Sequence, residues 1–92
     1  MRIVWSHGAM RLVERTGVSP AEVNQAVGAE GRRLLLPLEG DDGWRVITDV
    51  TGRLVEVWLV RADEGWYEVL GAFEAGMDGR ARWRNAQEGE LR

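Results

Sequence analysis

Trp44-Arg45-Val46-Ile47-Thr48-Asp49-Val50 and Leu54-Val55-Glu56-Val57-Trp58-Leu59-Val60-Arg61 flank the dipeptide Thr51-Gly52, and this stretch decides the fold. Both runs are rich in β-branched and aromatic residues and alternate in polarity, and a glycine-containing turn joins them. That is the pattern of an antiparallel hairpin. Alternation places Val55, Val57 and Leu59 on one side of the second strand, with Trp44, Val46 and Val50 beside them. Downstream, Asp63-Glu64-Gly65 turns the chain into Trp66–Phe73, whose Tyr67, Val69 and Phe73 are expected on the same inner side. Upstream, Gly40-Asp41-Asp42-Gly43 is a turn, and Leu34–Leu38 is apolar but interrupted by Pro37, which belongs on an edge strand. The prediction is a four-stranded antiparallel meander.

The first third reads differently. Arg2–Trp5 forms a short strand at most. Ser6 then offers an N-cap, and Ala9, Leu12, Val13 and Thr16 fall at helical spacing, with Gly17 as the stop. Ser19-Pro20-Ala21-Glu22 combines a capping serine, a proline at the first helical position and a capping-box glutamate. The helix it opens carries Val23, Ala26 and Val27, extends toward Glu30 and ends around Gly28 and Gly31. Two short helices joined by Gly17-Val18 make a helical hairpin. Residues 78–84 read as a last, loosely attached helix, with 85–92 frayed. The fold class is therefore α+β: an N-terminal helical hairpin packed on one face of a four-stranded antiparallel sheet, with a short C-terminal helix or tail.

The chain of 92 residues is 45% hydrophobic and 29% charged, which indicates one globular domain, 1–92, and excludes a disordered chain or a coiled coil. No apolar run is long enough to span a membrane. The opening seven residues are too short and polar for a secretory signal. Absence of cysteine excludes a disulfide framework or a thiol nucleophile. A cytoplasmic protein is expected.

All twelve basic residues are arginine, and the net charge of −3 is unevenly spread. Residues 1–33 carry +2, residues 34–77 carry −6 and residues 78–92 carry +1. Any surface that binds nucleic acid through phosphates must come from the two ends of the chain, because the middle repels them. Arg32-Arg33 and Arg80, Arg82 and Arg84 are the basic clusters, and Trp83 interleaves the second with an aromatic ring able to stack on a base.

The outer sheet face by alternation holds Arg45, Ile47, Leu54, Glu56, Trp58, Trp66, Glu68 and Leu70. So apolar a face has two readings. Either a protein partner or a second copy of the chain docks there, or the terminal helix folds over part of it.

The spacing His7-x3-Arg11-Leu12-x-Glu14-Arg15-x-Gly17-Val18-Ser19-x2-Glu22-Val23, followed by Gly52-Arg53-Leu54-Val55-Glu56-Val57 and Ala72-Phe73-Glu74-Ala75, resembles the BrnT-like toxins of the RelE superfamily. The resemblance runs over residues 3–84. It implies the toxin component of a bacterial type II toxin–antitoxin system, a metal-independent ribonuclease silenced by an antitoxin and acting on RNA, free or on the ribosome. Family members hold the RNA backbone with basic side chains on the sheet and its flanks. That implies Arg45, His7, Arg11 and Arg82, in that order, as catalytic candidates, with Arg32, Arg33, Arg80, Arg84 and Trp83 as RNA contacts. Ile47, Leu54, Trp58, Trp66 and Leu70 are the candidate partner surface. Glu68 and Phe73 stand where the family places arginine on the last strand. That departure favours the alternative, a non-catalytic binding module or homodimer. No metal cluster or nucleotide-binding glycine pattern occurs, so no cofactor is expected.

Overall fold

The computed structural model describes residues 2–28, 32–40 and 42–90, with His7 and residues 87–90 followed through the backbone alone. The elements run β1 (Arg2–Val4), α1 (His7–Arg15), α2 (Pro20–Gly28), β2 (Leu34–Pro37), β3 (Gly43–Val50), β4 (Arg53–Asp63), β5 (Trp66–Glu74) and α3 (Met77–Glu90). The α+β class holds, but the sheet has five strands rather than four and is mixed, in the order β1-β5-β4-β3-β2. β2 to β5 form the expected antiparallel meander. The added strand is β1, which lies parallel to β5 with Ile3 opposite Tyr67.

Local chemistry explains the elements. The Ser6 side chain accepts from the Ala9 amide, 3.1 Å away, at the start of α1. α1 stops at Thr16 and Gly17, whose φ of +82° is the left-handed conformation that glycine accepts most cheaply. The capping box of α2 is complete: Glu22 N–H donates to Ser19 Oγ at 3.1 Å, and Ser19 N–H donates to Glu22 Oε1 at 3.0 Å. Thr51 and Gly52 both have positive φ, +51° and +85°, as a two-residue hairpin turn requires. The expected stop at Gly31, with Glu30 before it, and Asp41 of the first strand turn lie outside the described residues.

α1 rests on β5, and α2 on β3 and β4, so the two helices spread over one face of the sheet. Val13, Val18, Val23 and Val27 meet Val46, Val55, Val57, Leu59 and Val69 there, each 1% exposed or less. Leu12, expected in that face, is instead 52% exposed, because α1 turns only Ala9 and Val13 fully inward.

Two further expectations change. Phe73 leaves the inner face: a bulge in β5, where Trp58 pairs Gly71 but Leu59 pairs Val69, shifts the alternation by one residue. Ala72 becomes the inner residue, and the Phe73 ring meets Trp58 on the outer side, with centroids 6.3 Å apart. The C-terminal stretch is no frayed tail as far as Glu90: α3 crosses the outer face and covers part of it. Ile47 and Glu56 are 0% and 2% exposed beneath it. The helix comes this close because Gly79 has no side chain. A Cβ there would stand 2.6 Å from Glu56 Oε1.

Candidate nucleic-acid interface

Arg45, the first catalytic candidate, sits near the foot of α3. Its Nε lies 3.0 Å from Glu56 Oε2, and its Nη2 reaches Glu56 Oε1 at 3.3 Å and Asp78 Oδ2 at 2.8 Å. The guanidinium also lies 5.7 Å from the centre of the Trp58 ring, and Trp58 Nε1 donates to the same Glu56 carboxylate. This network satisfies a buried carboxylate that would otherwise be costly. The Glu56 hydrogen bond, with Asp78 behind it, holds the Arg45 pKa above its ordinary value, although burial opposes this. In turn, the Arg45 hydrogen bond lowers the pKa of Asp78. Arg45 is therefore engaged in a cross-strand pair with Glu56 of β4.

The four catalytic candidates do not come together. His7 opens α1, and Arg11 stands one turn further along the same helix, exposed to solvent, on the inner side of the sheet. Arg45 and Arg82 lie on the opposite side, where Arg82 Nε pairs with Asp78 Oδ1 at 3.5 Å. A sheet with helices on both faces separates the pairs, since each helix layer stands about 10 Å from the sheet it covers.

The basic ends of the chain do converge, at the Thr51-Gly52 end of the molecule. An open groove of about 650 Å³ runs between the last turns of α2 and the end of β3, lined by Asn24, Gln25, Arg32, Asp49, Thr51 and Trp83 among others. An adjoining groove of about 360 Å³ is lined by Arg53, Arg80, Arg84, Trp83, Asp49 and Glu74. Trp83 and Asp49 belong to both, so the indole forms a wall shared by the two grooves.

The arginines of this region are held to different degrees. Arg53 Nη1 donates to the Gly17 carbonyl at 3.1 Å and its Nη2 pairs with Glu22. With that pair, the Ser19 N–H is the first cause of a lowered Glu22 pKa. Arg80 Nε donates to the Ala75 carbonyl at 3.0 Å, and its Nη2 lies 3.5 Å from Glu74. Arg84 pairs with no acid among the described residues and extends from α3 into solvent. Arg33, expected beside Arg32, turns away: its Nη1 donates to the Val27 carbonyl and closes the end of α2. Asn24, Gln25 and Asp49 entered no sequence reading of the site. The only signal for Asp49 was its place two residues before a hairpin turn.

The candidate partner residues separate into four places. Ile47 is under α3, and Leu54 lines the smaller basic groove. Trp58 and Leu70, 37% and 43% exposed, border a third groove of about 470 Å³ with Leu36, Leu38, Arg45 and Arg82. Trp66 stands apart at the start of β5, with the Arg2 guanidinium 5.6 Å from its ring centre.

No protein-family model, curated protein or solved structure matches the chain. Among the described residues no helix is long and apolar enough to cross a membrane, and no three of His, Cys, Asp and Glu are grouped to hold a metal ion.

Proposed function

We propose that this chain is the toxin component of a toxin–antitoxin pair, and that it holds single-stranded RNA at the Thr51-Gly52 end of the sheet. One observation carries the reading. Arg32, Arg53, Arg80, Arg84 and Trp83, from three distant parts of the sequence, line two grooves that meet at the Trp83 indole. Guanidinium groups beside a half-buried aromatic wall suit a strand whose phosphates need neutralising and whose bases need a stacking surface. α3 alone supplies Trp83, Arg80 and Arg84.

Cleavage is supported by the family resemblance alone. Arg45 is committed to Glu56 and Asp78, and a phosphate held by Arg82 would be out of reach of Arg11. Binding is the activity the site geometry favours.

Fluorescence anisotropy of a labelled single-stranded RNA at low salt tests the proposal. The chain binds with an affinity that falls steeply with salt, and Trp83→Ala weakens it about five- to a hundred-fold, the range for loss of one stacking platform. Failure to bind any RNA at about 50 mM salt, where phosphate contacts are strongest, would overturn it. Incubation of the complex, followed by sizing of the RNA, tests cleavage separately.

A second reading is favoured by the third groove, where Trp58, Leu70, Leu36 and Leu38 present apolar surface beside α3. It suits docking of the antitoxin, or of a second copy of the chain. Leu70→Asp places a charge in that groove at an exposed bulge. It abolishes self-association of the chain, or its association with an antitoxin, while the melting temperature stays within a few degrees. Unchanged association removes this reading.

A further inference from the structure

We infer that the larger groove, between α2 and the Thr51-Gly52 turn, is a base-reading subsite that selects guanine. The inference rests on the RNA-binding proposal and deepens it. At about 650 Å³ the groove falls within the range of small-ligand pockets, roughly 300–1,000 Å³. The neighbouring groove across Trp83 carries Arg53, Arg80 and Arg84, so a strand crossing the indole would leave its phosphates on the guanidinium side and one base on the other.

The polar groups on that second side set the choice of base. Asp49 supplies a carboxylate, and Asn24 and Gln25 supply two amides from the exposed side of α2. Asp49 is oriented by its own turn: Oδ1 accepts the Gly52 N–H at 2.9 Å. Among the described residues no other donor reaches this carboxylate, so Oδ2 and the second lone pair of Oδ1 remain for two ligand donors. Guanine alone presents two adjacent donors, N1–H and the N2 amine, on its Watson–Crick edge. Adenine and cytosine place an acceptor, N1 or N3, beside their single amine, and uracil flanks one N–H with two carbonyls. Each of these three sets a lone pair against a carboxylate, which costs affinity. The amides of Asn24 and Gln25 can donate to guanine O6 and N7, the groups left over once the carboxylate is engaged.

Recognition of this kind is worth about 1–3 kcal/mol per good bidentate pair, or about five- to a hundred-fold in affinity. The experiment compares four labelled ten-nucleotide probes: oligo-uridine, and the same strand with a single central guanosine, adenosine or inosine. The guanosine probe binds at least about fivefold tighter than oligo-uridine. Inosine, which lacks the N2 amine, loses most of that gain. In Asp49→Asn the guanosine-to-uridine ratio collapses to within about twofold, while the amide oxygen of the substituted side chain still receives the Gly52 N–H and the turn stays folded. Tight binding without a guanosine preference, or a preference that survives Asp49→Asn, overturns the base subsite and leaves the RNA-binding proposal standing. No binding of any probe overturns both.

Discussion

Arg45 on β3 and Glu56 on β4 form a two-pronged ion pair, at 3.0 and 3.3 Å, across the face that α3 covers. Glu56 is 2% exposed, and the third acceptor of the same guanidinium, Asp78, belongs to the first turn of α3. A single arginine thus neutralises a buried carboxylate and ties the last helix to the sheet.

Arg45→Ala removes both functions. Breaking a buried pair by deleting one partner costs about 3–5 kcal/mol, which for a domain of this size lowers the melting temperature by more than about 10 °C. Arg45→Met combined with Glu56→Leu costs much less than the two single changes together, because no charge is left stranded. Thermal unfolding followed by circular dichroism checks both. A stable Arg45→Ala that loses only activity would return Arg45 to the catalytic list.

Asp78 gives the pH dependence a sign. Its folded pKa is lowered by the Arg45 hydrogen bond, so the stability it contributes is present above its unfolded value and disappears as pH falls through the folded one. Glu22, lowered by the Ser19 N–H and by Arg53, acts in the same direction. The melting temperature therefore drops as the solution is acidified below about pH 4, near the carboxylate reference values. Asp78→Asn flattens part of that drop. An Asp78→Asn protein with an unchanged acid limb would show that the pair to Arg45 does not persist in solution.

Gly79→Ala separates helix propensity from packing. Alanine favours an isolated helix by about 1 kcal/mol over glycine. Here its Cβ would meet Glu56 Oε1 at 2.6 Å and Ala75 Cβ at 3.2 Å. Overpacking of this kind costs about 1–3 kcal/mol, so the expected net effect is destabilising or close to neutral, never the full gain of a better helix former. Because α3 must then lift, RNA affinity falls together with stability. A gain of about 1 kcal/mol, the full propensity difference, with unchanged RNA binding would mean that α3 does not rest on the sheet.

Which parts of this architecture could be read from sequence follows from the range of each interaction. The Ser6 cap, the Ser19–Glu22 box, the Thr51-Gly52 turn and the edge position of Pro37 are local, and each is legible within four or five residues. The β1–β5 pairing is not, because three residues carry no periodicity and Ile3 pairs with Tyr67 from the far end of the chain. Phe73 escapes the alternation because a bulge at Leu70 leaves no mark in the pattern itself. α3 hides its role for another reason. It approaches the sheet through Gly79 and an ion pair rather than through an apolar stripe, so a search for hydrophobic rhythm passes over it. The site follows the same rule. The basic clusters at the chain ends are visible, whereas Asp49, Asn24 and Gln25 join them only through the tertiary fold.

An amide and indole NMR titration of the labelled chain with single-stranded RNA shows directly which surface holds the strand. The five tryptophans supply separate indole signals, two of which report on the competing surfaces. Binding in the two grooves shifts the Trp83 indole and the amides of Asn24, Asp49, Gly52 and Arg84, and leaves the Trp58 indole and the α1 amides still. Shifts centred on Trp58 and Leu70, or no shifts at all, would contradict it.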